Sequence, residues 1–163
     1  MLKDKKKKAK DIMVTYDNYD VVFQEIPNEV SLAFTIEGCP NNCEGCHSPH
    51  LREQNGIELT KDHLKKIINQ YDNLITCVLF LGGDSFHDEL YDLINLCKEN
   101  SLKTALYSGN NSINGKLVEI LDYYKIGCYI KELGGLNSKT TNQKLYKIED
   151  ITNLFWSEKE NYE

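Results

Sequence analysis

The sequence of 163 residues has few prolines and no long hydrophobic run. It contains three prolines, and no uninterrupted apolar stretch outlasts residues 78–81. A membrane-spanning helix requires roughly 18 consecutive apolar residues, so we predict no such helix. The first residues also lack the apolar core of a secretory signal, and we therefore expect a cytoplasmic protein.

Positive charge is scarce outside the N-terminus. Six lysines fall within the first ten residues, and beyond them 13 basic residues face 24 acidic ones. This balance argues against a nucleic-acid-binding face. A chain of this length can bury roughly 70 % of the surface of its unfolded form, which suffices for one core but not for two. We predict a disordered basic tail over residues 1–11, a single domain over 12–155 and a polar C-terminal end over 156–163.

From residue 30 onward, short apolar runs alternate with stretches of helical period. Runs typical of buried strands occupy residues 30–36, 75–81, 103–107 and 127–130. Between them, apolar residues recur at i, i+3, i+4 and i+7, which predicts helices with buried stripes that begin at Leu64, Leu90 and Leu117. This rhythm predicts an α/β fold with βαβ units and a mainly parallel sheet. Because a complete eight-unit barrel takes about 250 residues, we expect a partial, open-sided (β/α) barrel.

Three cysteines lie within eight residues, directly after the first of these strands. Cys39, Cys43 and Cys46 are separated by three and by two residues. Gly38 and Gly45 permit the backbone to curl so that the three sulfurs converge. A disulfide would require an oxidising compartment and would leave one thiol over. The loop therefore predicts a metal site.

Two kinds of metal site fit this loop. Iron–sulfur clusters are held by thiolates, usually four, so that three thiolates leave one iron open. Zinc requires four ligands, and His47 or His50 would complete a Cys3His site in a zinc-stabilised binding module. The residue types favour the cluster and leave zinc as the alternative. The remaining cysteines fall on core elements and are predicted to be buried, as small hydrophobic residues: Cys77, Cys97 and Cys128.

Two further loops follow predicted strands at the edge of the sheet where the cysteine loop lies. They contain Gly82-Gly83-Asp84 and Ser108-Gly109. Ligands of such sheets bind at the carboxyl ends of the strands, and a Gly-Gly pair lets a ligand approach the backbone closely. Ser85 is predicted to cap the next helix, in whose first turn we expect His87 to be solvent-exposed.

These motifs resemble those of the radical S-adenosylmethionine (SAM) superfamily, in which a C-x3-C-x2-C loop follows the first core strand and a Gly-Gly-acidic turn follows the next. Within it, the run Cys46-His47-Ser48-Pro49 and the late segment Glu132–Gln143 resemble the activating proteins of anaerobic ribonucleoside-triphosphate reductase. The likeness covers about residues 30–148. This sequence departs from the family at Ser85, where proline is more usual.

The resemblance implies that Cys39, Cys43 and Cys46 ligate three irons of a [4Fe-4S] cluster and that SAM chelates the fourth. Reductive cleavage of SAM would yield methionine and a 5′-deoxyadenosyl radical, which would abstract hydrogen from a glycine of the large subunit of the reductase. The implied contacts with the cofactors are made by Gly45, Cys46, His47, Gly82, Gly83, Asp84 and Ser108.

The implied partners are the reductase and an electron donor such as flavodoxin or ferredoxin, without nucleic acid or membrane. The nearest alternative within the superfamily is an activase of a different glycyl radical enzyme.

Overall fold

The computed structural model describes residues 13–43, 45–46 and 48–149, together with the backbone of residues 152–153. The predicted basic tail, residues 1–11, and the predicted polar end, residues 156–163, lie outside the described residues. No helix of the described part is long and apolar enough to cross a membrane.

Eight strands of the described residues form one sheet, in the order β3-β1-β2-β4-β5-β6-β7-β8. The strands are β1 (Thr15–Val22), β2 (Ser31–Ile36), β3 (Ile57–Glu58), β4 (Cys77–Leu81), β5 (Lys103–Tyr107), β6 (Tyr123–Ile126), β7 (Lys144–Lys147) and β8 (Thr152–Asn153). The helices are α1 (Lys61–Gln70), α2 (His87–Glu99) and the single turn α3 (Gly115–Val118), with a 3-10 helix at Pro49–Arg52.

The centre of the sheet is parallel and its flanks are antiparallel. Strands β2, β4, β5 and β6 pair in parallel, whereas β1 pairs with β2, and β7 with β6, in the antiparallel direction. Helices α1, α2 and α3 lie in the connections between the parallel strands, as βαβ units require. The prediction of an α/β fold is therefore confirmed. The sheet is open and is parallel only in its middle, with three parallel and four antiparallel pairings between the described strands, rather than mainly parallel throughout, and its identity as a partial barrel stays a prediction.

Both faces of the central strands are buried. The face that carries the helices holds the larger core, which includes Leu32, Phe34, Val78, Phe80 and Leu106. The opposite face holds a smaller cluster that includes Ile26, Ala33, Leu79, Ala105 and Tyr123. Burial on both sides explains why these strands are continuous apolar runs in the sequence.

The first two predicted helices are confirmed. Helix α1 begins after Thr60, whose hydroxyl accepts a hydrogen bond from the His63 N–H at 3.1 Å. Its apolar stripe and that of α2 are buried, with the members Leu64, Ile67, Ile68, Leu90, Leu93, Ile94 and Cys97.

The third helix and the strand after it are predicted wrongly. Helix α3 stops at Val118, and Tyr124, which the helical period places on a buried stripe, lies in β6. The strand begins early because the Asp122 N–H donates to the Thr104 carbonyl, and the Asp122 carboxylate accepts from the Thr104 N–H. These bonds start the pairing with β5 before a second helical turn can form.

The predicted strand at residues 127–130 is wrong for a related reason. Strand β6 already ends at Ile126, and Gly127 adopts a φ of 107°, in the left-handed region that favours glycine. The backbone therefore turns away from the sheet at the point where the apolar run continues.

Gly83 packs directly against helix α2. Its φ is 109°, and a Cβ atom added there would lie 2.4 Å from Leu90 Cδ1, a fully buried side chain. A larger residue at this position would strain the backbone and force the buried Leu90 side chain to shift.

We expect Gly83→Ala to lower the free energy of unfolding by roughly 1–3 kcal/mol, because the residue combines an unfavourable φ with a steric clash. Urea unfolding followed by circular dichroism measures the change. Gly135→Ala is the matched control, since a Cβ there meets no atom within 4 Å. Equal stability of the two variants would contradict the packing argument.

Candidate metal centre

The cysteine loop runs from the end of β2 to the 3-10 helix. The Cys39 N–H donates to the Leu51 carbonyl at 3.0 Å, and the Cys46 N–H donates to the Cys43 carbonyl at 3.2 Å. The Ser48 N–H lies 3.4 Å from Cys46 Sγ and donates to it. All three cysteines are free and partly exposed. The backbone thus holds the loop while the thiols stay accessible.

A buried carboxylate ties this loop to the sheet. The side chain of Asp84 is only 3 % exposed. It accepts hydrogen bonds from the Ser108 hydroxyl at 2.5 Å, the Gly109 N–H at 2.9 Å and the Asn41 amide at 3.1 Å. These donors belong to the loop after β5 and to the cysteine loop, whereas Asp84 follows β4. One side chain therefore joins three neighbouring loops.

Ser85 makes a second tie to the cysteine loop. Its hydroxyl donates to the Gly38 carbonyl at 2.8 Å, directly before Cys39. The N-cap of α2 is Phe86, which makes no side-chain capping bond. The prediction that Ser85 caps this helix is therefore wrong, because its hydroxyl is engaged by the cysteine loop.

His87 faces the site, contrary to the expectation of an exposed residue. Its Nδ1 lies 3.0 Å from the Asn114 amide nitrogen, and its Nε2 lies 3.7 Å from Asp84 Oδ1. The side chain is 23 % exposed. An amide that donates to Nδ1 leaves the ring proton on Nε2, on the side of Asp84. His87 therefore adds a polar group to the Asp84 cluster from helix α2.

Lys125 is a buried cation at the same edge of the sheet, and the sequence analysis missed it. Its ammonium donates to the carbonyls of Ser108 at 3.2 Å and Gly127 at 3.0 Å. Burial lowers the pKa of Lys125 to about 8, and the negative charges of Asp84, Cys43 and Cys128 act in the opposite direction. A strand assigned to residues 123–126 would have placed Lys125 on the same face as Tyr123, opposite the helices.

The late segment that carries the family resemblance supports the backbone beside Lys125. The Asn142 amide donates to the Cys128 carbonyl at 3.1 Å, and the Gln143 amide donates to the Gly127 carbonyl at 3.3 Å. This segment therefore positions the loop that follows β6.

A pocket of about 500 Å³ lies between that loop and the cysteine loop, and its lining comprises Cys43, Gly45 and residues 128–132. Cys128 is partly exposed here, so the prediction that it is buried in the core is wrong, because it comes after the end of β6. Cys77 and Cys97 are buried, as predicted.

Packing within the protein explains why both residues of the Gly82-Gly83 turn are glycines. A Cβ at Gly82 would lie 3.2 Å from the Ile36 carbonyl oxygen, and a Cβ at Gly83 would meet Leu90. Contacts of this turn with a ligand stay a prediction.

The other residues predicted to contact SAM also line this edge. Asp84 and Ser108 bond to each other, and Gly45 and Cys46 lie on the cysteine loop. His47 lies outside the described residues. The contacts that these residues make with SAM stay a prediction.

A family model described as a 4Fe-4S single cluster domain matches residues 29–148. The chain belongs to this family. The match extends from before β2 to the end of β7, so that it includes the cysteine loop, Asp84 and Lys125. No curated protein gives a significant match to the chain.

Membership of the 4Fe-4S single cluster family indicates a [4Fe-4S] cluster, and the thiols of the cysteine loop fit such a group. A cubane takes its thiolates at separate irons, whereas the ligands of a zinc ion converge on one atom. Among the residues that the structure describes, no three His, Cys, Asp or Glu side chains converge as ligands of a single ion. His50, an alternative zinc ligand, is 63 % exposed and lies 3.6 Å from Asp17. The family match therefore favours the cluster over zinc.

The surroundings of Cys39 oppose formation of its thiolate in the absence of iron. Burial raises the pKa of the Cys39 thiol, a hydrogen bond involving Asn41 lowers it, and the charges of Asp84, Cys43 and Cys46 raise it further. Iron must displace the thiol proton when it binds. Cluster assembly is therefore coupled to the release of protons from the loop.

We expect Asp84→Asn to lower the free energy of unfolding by roughly 3 kcal/mol. The amide nitrogen of the new side chain would face hydrogen-bond donors that now bind the buried Asp84 carboxylate. The iron content per chain after anaerobic reconstitution should fall as well, since the cysteine loop loses its tie to the sheet. Urea unfolding and an iron assay measure the two effects. Asp88→Asn is the matched control, because the Asp88 side chain is 82 % exposed. Wild-type stability and iron content in Asp84→Asn would refute this role.

Proposed function

We propose that the protein is a radical SAM activase that installs a glycyl radical on anaerobic ribonucleoside-triphosphate reductase. In this proposal the open sheet is a partial barrel of the radical SAM type. A [4Fe-4S] cluster and SAM, when bound, supply the reductive cleavage that generates the 5′-deoxyadenosyl radical. Cys39, Cys43 and Cys46 would hold the cluster through three irons, and SAM would occupy the fourth.

The observation that carries this proposal is a set of three thiols on one loop, beside an open pocket at the carboxyl edge of a parallel sheet. The loop itself offers no fourth cysteine. A cluster held by three thiolates keeps one iron available to a ligand, and the pocket of about 500 Å³ next to Cys43 offers space for one.

The site also has groups suited to the polar ends of SAM. The backbone after β4 and the Asp84 carboxylate suit an ammonium group, and the lysines at positions 125 and 131 suit a carboxylate. Asp84 is already engaged by three donors, which favours the backbone of the Gly82-Gly83 turn as the contact for the ammonium.

The proposed substrate is a glycine in a loop of the large subunit of the reductase, and an open sheet suits a macromolecular substrate because a protein loop must reach the radical. The proposed electron donor is a flavodoxin or a ferredoxin, and the proposed location is the cytoplasm. An activase of another glycyl radical enzyme would share the site and differ in its partner. Electron paramagnetic resonance after mixing with candidate enzymes separates these two cases.

We expect the anaerobically reconstituted protein to bind about four irons per chain and, with dithionite, to convert SAM into 5′-deoxyadenosine. Cys43→Ala should lose this cleavage because it removes a ligand of the cluster. Cys128→Ser should keep both the iron and the cleavage, although Cys128 lines the same pocket. Liquid chromatography of the products measures the reaction. Cleavage by Cys43→Ala would overturn the ligand assignment.

The position of Cys128 favours one other candidate, an electron carrier with a four-thiolate cluster. In that case Cys128 would fill the fourth iron site, and the protein would bind iron without cleaving SAM. Cys128→Ser would then lose iron, which is the opposite of the result expected for the activase. A colourless protein that unfolds on chelation would instead indicate the zinc-stabilised module.

A further inference from the structure

Lys125 is the only buried lysine among the residues that the structure describes, and it lies in a strand whose carboxyl end is at the same edge of the sheet as the cysteine loop. Lys125 is 8 % exposed, and its Nζ lies 5.9 Å from the centroid of the Tyr107 ring. Burying an ammonium group is costly unless the group is paired and hydrogen-bonded. Its bonds to the Ser108 and Gly127 carbonyls satisfy the ammonium but leave its charge unneutralised by any ion pair at contact distance among the described residues.

A short chain of hydrogen bonds connects this ammonium group to the cysteine loop. Lys125 donates to the Ser108 carbonyl, and the Ser108 hydroxyl donates to Asp84. Asp84 in turn accepts from Asn41, which lies between Cys39 and Cys43. The charges of Asp84, Cys43 and Cys128 are close enough to act on the pKa of Lys125. The ammonium is therefore connected to the cysteine loop through Ser108 and Asp84.

The charge of the cluster makes this position significant. A [4Fe-4S]2+ core with three thiolates carries one net negative charge, and one-electron reduction adds a second. The buried Asp84 carboxylate opposes that reduction, whereas Lys125 favours it. The other charged side chains that line the pocket, Lys131 and Glu132, are exposed, and solvent screens their effect.

We propose that the positive charge of Lys125 raises the reduction potential of the cluster, because it offsets the negative charge of the Asp84 carboxylate. This inference rests on the assignment of the cluster to Cys39, Cys43 and Cys46, but not on the cleavage of SAM. A buried ammonium acts through a medium of low dielectric constant, so its influence on the cluster is large relative to that of a surface lysine.

The decisive measurement is the midpoint potential of the reconstituted cluster, titrated anaerobically with dithionite and followed by electron paramagnetic resonance. Lys125→Met and Lys125→Gln remove the charge, and the glutamine retains a donor for the two carbonyls. We expect both variants to have a more negative midpoint potential than the wild type, while Lys125→Arg keeps a potential close to it. The full chain is used throughout, and no SAM is added.

Two controls separate the charge from the scaffold. Gln143→Leu removes the other side-chain donor to the Gly127 carbonyl and leaves Lys125 in place, so it should lower stability without shifting the potential. Lys131→Met removes an exposed lysine that packs over Gly45 and lines the same pocket, and it should shift the potential less than Lys125→Met. A shift with Gln143→Leu equal to that with Lys125→Met would mean that Lys125 acts through structure, which would overturn the inference.

The remaining outcomes also decide the question. Neutral variants that bind the cluster with an unchanged potential would refute the inference. If Lys125→Met and Lys125→Gln fail to bind iron, iron binding by Lys125→Arg supports a requirement for positive charge at this position. If Lys125→Arg also fails to bind iron, that requirement is refuted. A wild-type protein that assembles no cluster would overturn the ligand assignment itself.

Discussion

The arrangement of the site depends on one buried carboxylate that accepts hydrogen bonds from two other loops. Asp84 receives three hydrogen bonds, two from the loop after β5 and one from the cysteine loop. A buried anion is stable only when such donors surround it, so the three loops must adopt compatible positions together. The cysteine loop is thereby located by the sheet, because parallel strands bring their carboxyl ends to one edge.

Two buried side chains of opposite charge, Asp84 and Lys125, lie near this edge of the sheet without contacting each other. Asp84 lies at the end of β4 and Lys125 in β6, and the two are linked through Ser108, which contacts both. Neutral hydrogen-bonding groups satisfy both side chains, so Asp84 and Lys125 do not neutralise each other in an ion pair. The local potential around the thiols can therefore be set by residues that never touch the metal.

Much of this architecture was predictable from the sequence, because strands buried on both faces and helices with one buried stripe follow simple patterns. Thr60 and the stripes of α1 and α2 are examples in which local chemistry and burial agree. The prediction failed after α3, where Asp122 bonds to Thr104 in a neighbouring strand and overrides the helical period.

The candidate site was predictable in its thiols and in the Gly-Gly-Asp turn, but not in its supporting contacts. Residue types at short spacing identify a metal loop, whereas the bonds of Asn41, Ser85 and Lys125 join residues that are distant in the sequence. The error in the β6 boundary also concealed Lys125 and placed Cys128 in the core. Such long-range pairs can be inferred only once the strand order is known.

The difference in burial between the cysteines determines which thiols are oxidised when the protein is exposed to air. Burial raises the pKa of Cys77 to about 12 and that of Cys97 further, so neither thiol readily becomes the reactive thiolate. Oxygen and alkylating reagents should therefore attack the accessible loop first and spare the interior. A bleached preparation would then be a folded apoprotein with oxidised loop thiols, which a reductant followed by iron and sulfide can restore.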